Sequence, residues 1–216
     1  MLNLRALLPL ALLAAGCRGA TPAPETPQAD PARPLASYAG RRVVVLPLQS
    51  LDDGAGWSAR GSDAKGMRTR LDDEVAFALS ERGLGTRWIL PSALALMTRR
   101  AGTYVPDLQS LQVESLRRLK ELPDGPLGDP LASQLRSLVA FTDARWVLLP
   151  IEGRVERALA AKGGGTRFIV QLAMIDARGA IVTWMGEVAS DTASGPGPQP
   201  FATAAARLAD LIVPSP

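Results

Sequence analysis

The chain has 216 residues, 24 basic and 21 acidic side chains, no histidine and a single cysteine. The missing histidine excludes His-based triads, HExxH zinc sites and imidazole-held haem, and one cysteine excludes an internal disulfide or a cysteine-rich metal site. The net charge of +3 is close to neutral, and no aromatic residues interleave with the basic doublets Arg41-Arg42, Arg99-Arg100 and Arg117-Arg118, so no nucleic-acid partner is expected.

The first element is an apolar run. Met1 to Arg5 carries the amine and one arginine, and Ala6 to Gly16 is apolar apart from the backbone break at Pro9. Eleven residues make a helix of about 16 Å, against a bilayer core of about 30 Å, so the run is too short to span. It has the size of a secretory signal core. Ala14, Ala15 and Gly16 are small, as a signal peptidase requires, and Cys17 follows. This stretch, Leu13-Ala14-Ala15-Gly16-Cys17, resembles a bacterial lipoprotein signal. The usual lipobox leucine lies one place early, and Ala14 takes its slot. The resemblance implies a diacylglyceryl thioether on Cys17, cleavage before it and fatty acylation (palmitate) of the new amine. A thiol suits that transfer because its thiolate is a good nucleophile. A buried inert cysteine, or a plain secreted chain with a stray thiol, are the competing readings. Cleavage would leave 200 residues, enough for one packed domain, with 23 basic and 21 acidic groups.

Arg18 to Pro34 holds five prolines among small and polar residues and cannot bury enough apolar surface to fold. Residues 17–37 are therefore expected to be a lipidated tether, in which the seventeen residues Arg18 to Pro34 would reach about 50 Å if extended as polyproline. Residues 38–216 are expected to form a single domain.

Within that domain, Val43 to Leu48 predicts a buried strand. Gly54 to Gly66 reads as a loop with four glycines. Met67, Leu71, Val75, Ala78 and Leu79 have helical spacing, and Gly83 and Gly85 end the helix. Thr86 to Leu90 predicts a second strand, and Pro91 starts a short helix with Leu94 and Met97 inward. Leu108, Leu111, Ser115, Leu119 and Leu122 line another helical stripe, and Leu131, Leu135, Leu138 and Val139 the next. Arg145 to Val155 predicts strand three, Phe168 to Ile175 strand four and Ala180 to Val188 strand five, the last two paired across the turn Asp176-Ala177-Arg178-Gly179. Phe201, Ala205, Leu208 and Ile212 mark a final helix. The order β-α-β-α-α-α-β-β-β-α predicts an α/β fold with α+β character at its C-terminal hairpin. It is a mixed five-stranded sheet packed with helices.

Three pieces carry a resemblance: Leu46-Pro47-Leu48, Ala144-Arg145-Trp146-Val147, and Asp176 with Gly179 and Trp184. Their order is similar to small α/β domains of bacterial envelope proteins, namely the N-terminal domain of the Tol-system propeller protein and the curli-secretion lipoprotein group. Leu48 departs from the usual aromatic, and residues 105–130 have no counterpart. The resemblance covers residues 41–190 and implies an envelope-located binding or assembly module. It transfers no catalytic residue. Pore formation would need paired membrane-crossing hairpins of alternating sequence, and none is visible.

The candidate ligand loop is Gly54, Gly56, Trp57, Arg60 and Gly61, beyond the first strand, where open α/β sheets bind ligands. It lacks GxGxxG and GxxxxGK[ST] patterns, and a flexible surface loop is the plainer reading. The Gly163-Gly164-Gly165 run reads as a hairpin turn. Asp72-Asp73-Glu74 reads as a solvated acidic first turn favoured by the helix dipole. No GxSxG motif marks a nucleophile. The expected protein is non-enzymatic, without cofactor or metal. It is held by its lipid at the outer membrane facing the periplasm, with an envelope protein as partner in assembly or trafficking. A small-ligand-binding lipoprotein using the 54–66 loop is the alternative.

Overall fold

Ten elements account for the computed structural model, which describes residues 30–57, 63–101, 105–119, 122–123, 125–158, 164–195 and 197–215. They are β1 (Val43–Val45), β2 (Ser50–Asp52), α1 (Ala64–Glu81), α2 (Pro91–Ala101), α3 (Glu114–Arg117), α4 (Leu131–Thr142), β3 (Trp146–Arg157), β4 (Thr166–Asp176), β5 (Ile181–Ala189) and α5 (Gln199–Asp210). Short 3-10 turns at Ala36–Tyr38 and Leu84–Thr86 complete the order. The fold is α/β, with a mixed five-stranded sheet in the order β1-β3-β4-β5 and β2 pairing with β3.

β1 and β2 act as one interrupted strand. Both run parallel to β3, Val43 opposite Trp146 and Asp52 opposite Arg154. Pro47, which has no N–H to give a ladder, stands in the gap. Leu46 and Gln49 still donate to Leu148 and Pro150 there, at 3.0 and 3.2 Å. β3, β4 and β5 then form an antiparallel meander.

Alternation along the strands sends side chains to two cores, one on each face. Val43, Val45, Leu48, Leu148, Phe168, Val170, Leu172 and Met174 meet Leu71, Val75 and Leu79 of α1 and Phe201, Ala205 and Leu208 of α5. Val44, Leu46, Val147, Leu149, Ile151, Ala173 and Ile175 meet Leu94 of α2, Leu116 of α3, and Leu131, Leu135 and Leu138 of α4. Covered on both faces, β3 and β4 read as continuous apolar runs.

Four expectations need correction. The strand expected at Thr86–Leu90 reduces to a single bridge, Ile89 with Val44, closed by hydrogen bonds of 2.8 and 2.9 Å. Gly83, at φ 75, ends α1, and α2 begins at Pro91, leaving no room for a ladder. The fifth strand is instead β2, whose Ser-Leu-Asp sequence has no strand signal. The stripe over 108–122 is helical only at Glu114–Arg117. Gln49, buried, takes over its backbone groups: Nε2 donates to Leu108 O (2.9 Å) and Oε1 accepts from Leu111 N (3.1 Å). Packing also begins before Tyr38. Leu35 is fully buried, and its N–H donates to Leu211 O at 3.1 Å, so the folded domain reaches back at least to residue 35. Finally, α1 starts at Ala64 with Asp63 as its N-cap, so Asp72-Asp73-Glu74 is not a first turn.

Candidate functional site

Cys17, Arg60, Gly61 and Gly163 lie outside the described residues. The rest of the candidate loop follows β2. Asp53 closes it: its carbonyl accepts from Gly56 N (2.9 Å) and its carboxylate from Trp57 N (2.6 Å), with Gly56 at φ 72. Gly54 is exposed and Gly56 half-buried. Trp57 turns inward and is fully buried, stacked on Phe168 (6.4 Å, 17°) and edge-on to Phe201 (5.9 Å). Its Nε1 donates to Thr166 Oγ1 at 3.0 Å. Trp57 is thus a core plug that holds the start of the loop against the sheet, and the openings described next are lined by other residues. Trp146 and Trp184 pack at the rim of the same core.

Asp72 is a site that the sequence reading missed. Its Oδ1 accepts from Leu48 N at 3.0 Å, supplying the acceptor that the interrupted strand lacks. It borders a narrow void of about 10 Å³ lined by Leu46, Leu71, Val75, Pro150, Leu172 and Leu208. That is at the threshold of room for one water. Burial pushes its carboxyl up to about 7; the Leu48 N–H and Arg68 pull it down, and Asp73 pushes it further up. Among the described residues that line this void, Asp72 carries the one titratable side chain. Among the described residues no group of three His, Cys, Asp or Glu side chains is placed to hold a metal ion, and no helix is long and apolar enough to cross a membrane.

An apolar groove lies on the outer side of α1 and α5. The inward stripes, Leu71, Val75 and Leu79 on α1 and Ala204, Ala205 and Leu208 on α5, bring the two helices together. On the outer side α5 presents only small residues, Ala202, Thr203 and Ala206, and α1 presents Glu74, Phe77, Ala78 and Glu81. Small against large leaves a groove of about 470 Å³. Phe77 is 63% exposed on its wall. Arg82 closes one end, donating from Nη2 to Asp210 Oδ1 (2.6 Å) and Ser215 Oγ (2.7 Å). The groove has an apolar wall and a charged rim, which suits an inserted side chain or helix rather than a chemical step. Its sequence signal is Phe77, a large aromatic lying off the inward stripe of α1.

A second opening, over β3–β5, is lined by Leu119, Arg154, Gln171, Met185, Gly186 and Glu187. Its polar groups already answer one another. Arg154 grips both Glu187 oxygens at 2.9 and 2.8 Å, and Gln171 Nε2 donates to Leu119 O at 2.9 Å.

No protein-family model and no curated sequence matches the chain. Similar solved structures include the PelC dodecamer from Paraburkholderia phytofirmans, 14% identical over 80% of this chain and 88% of that one, with a TM-score of 0.39. The LpoB C-terminal domain from Salmonella enterica is 13% identical over 73% and 93%, with a TM-score of 0.38. The lipoprotein GNA1162 from Neisseria meningitidis is 14% identical over 72% and 85%, also at 0.38. At this distance no residue is carried across from any of them.

Proposed function

We propose that this chain is a lipid-anchored protein of the bacterial cell envelope whose α/β domain works by binding another protein, in assembly or trafficking, and not by catalysis. The anchor is Cys17, read from Leu13-Ala14-Ala15-Gly16-Cys17, and the proline-rich segment after it is the tether. Arg18 follows the cysteine where an aspartate would favour inner-membrane retention in some diderm bacteria, so the outer membrane facing the periplasm is the proposed address.

The observation that carries the binding role is the groove between α1 and α5. Phe77, 63% exposed, stands beside Ala78, Ala202 and Ala206 on the wall of this groove, and together they form an apolar recess that a partner's side chain fits. A partner that inserts an apolar side chain between Phe77 and Ala206 would bury it. The experiment is to place a photoactivatable phenylalanine analogue at position 77 of the full chain in its native host and irradiate. A discrete heavier adduct from position 77, absent from position 109 and lost when Ala202→Arg fills the groove, is the expected result. The same adducts from positions 77 and 109, or none from 77, would overturn the reading.

A further inference from the structure

The sequence scatters its arginines, but the fold collects five of them at one end of the sheet. The register of β1 on β3 sets Val43 opposite Trp146, so Arg42 and Arg145, the residues just before them, stand side by side. Arg41 and Arg145 both lie over the Trp146 ring, at 5.2 and 4.9 Å, and Arg41 lies 5.9 Å from the Tyr38 ring. Arg87 reaches the same corner, its Nη1 donating to Gly40 O at 3.4 Å. Arg178 sits in the β4–β5 turn, two residues past Asp176, which faces Trp146 across the ladder. All five arginines are exposed. The carboxylates that these contacts bring in are Asp176, hydrogen-bonded by Arg145, and Asp143, 3.8 Å from Arg178. Five guanidiniums against the two carboxylates that contact them give this cluster a net positive charge.

Two half-buried aromatic rings lie at the level of these arginines. Tyr38 and Trp146 meet edge-on at 5.0 Å, and the Tyr38 hydroxyl donates to Thr183 Oγ1 at 2.8 Å. Rings with an apolar body and a polar neighbour, set among arginines, are the side chains that lodge at the headgroup level of a bilayer. The chain also joins the domain here, since Leu35 to Tyr38 leads directly into Arg41 and Arg42. We propose that this end of the sheet is a docking surface for an anionic phospholipid bilayer, which holds the domain in one orientation on the membrane. The surface stands on arginines and rings, and does not require a lipid on Cys17.

The test uses the unlipidated chain from residue 18. Every buried residue of both cores falls between Leu35 and Ile212, so this chain keeps the whole domain. It is sedimented with phosphatidylcholine vesicles and with mixed phosphatidylcholine–phosphatidylglycerol vesicles, at low and high salt. Binding to the mixed vesicles only, weakened by salt, is expected. Each arginine near an anionic surface contributes roughly fivefold, so Arg42→Gln with Arg178→Gln should cost about thirtyfold. Arg41→Gln with Arg87→Gln serves as a second pair should the first fail to fold, and Arg99→Gln with Arg100→Gln should bind as wild type does. No binding, equal binding to both vesicles, or wild-type binding by a folded double variant overturns the proposal. So does binding to dextran sulfate with none to vesicles, which would make the surface a site for a soluble polyanion.

Discussion

Asp72→Asn removes a charge while keeping an acceptor for Leu48 N, and its effect should change with pH. In the folded chain burial pushes the Asp72 carboxyl up to about 7. In the unfolded chain an aspartate titrates near 3.9. The folded state therefore holds a proton that the unfolded state has released throughout the interval between these values. Stability that is fully present below about pH 4 is lost as pH rises to about 7, at about 1.4 kcal/mol per unit. The whole interval is worth up to about 4 kcal/mol, and partial solvent access lowers this toward about 2. The asparagine variant behaves as the protonated form at every pH. At pH 8 it should be more stable than wild type by about 2 to 4 kcal/mol, with the gain shrinking towards pH 4. Urea midpoints of both proteins across this range measure it, since an unchanged slope makes the midpoint a direct report of stability. A variant less stable than wild type at pH 8, or one with the same pH profile, would refute the argument that Asp72 is a desolvated acid.

Trp57→Ala should cost about 3 to 5 kcal/mol, because it empties the space between Phe168 and Phe201 and removes the hydrogen bond that the Thr166 hydroxyl accepts; denaturant titration reads this, and a loss under about 1 kcal/mol would make the ring a loop residue after all. Gly153→Ala would put a Cβ 2.7 Å from Phe168 Cζ and 3.0 Å from Leu48 Cδ2. Its expected cost is about 1 to 3 kcal/mol, visible as a lowered melting temperature, and an unchanged melt would show that Phe168 can move aside.

The elements legible in the sequence were those with a strong period or an unbroken apolar run. Trp146-Val147-Leu148-Leu149 and Phe168 to Ile175 named their strands because both faces are covered, and Leu131, Leu135 and Leu138 named α4 by spacing. What stayed hidden depends on partners far along the chain. β2 is a strand only because β3 offers its free edge to Ser50–Asp52. Residues 108–111 escape helix because Gln49, about sixty positions away, satisfies their backbone. Of the stripe that suggested a helix there, Leu108 and Leu111 pack inward from an irregular chain, whereas Ser115 and Leu122 are exposed and Leu116 takes the inward place. Trp57 could be read as a loop aromatic because nothing local shows that Phe168 and Phe201 wait beneath it. The arginine-rich end is invisible for the same reason: Arg42 and Arg145 are neighbours only through the register of β1 on β3.

The claim on which the rest of the proposed function depends is that Cys17 becomes the lipidated first residue of a membrane-held chain. The direct measurement is the intact mass of the protein extracted from membranes of its native host, with fragmentation of its N-terminal peptide. The account predicts a chain beginning at Cys17, carrying a diacylglyceryl thioether and an acylated amine, and a Cys17→Ala variant that keeps residues 1–16. A wild-type chain that starts elsewhere, or one in which Cys17 carries a free thiol, would contradict it.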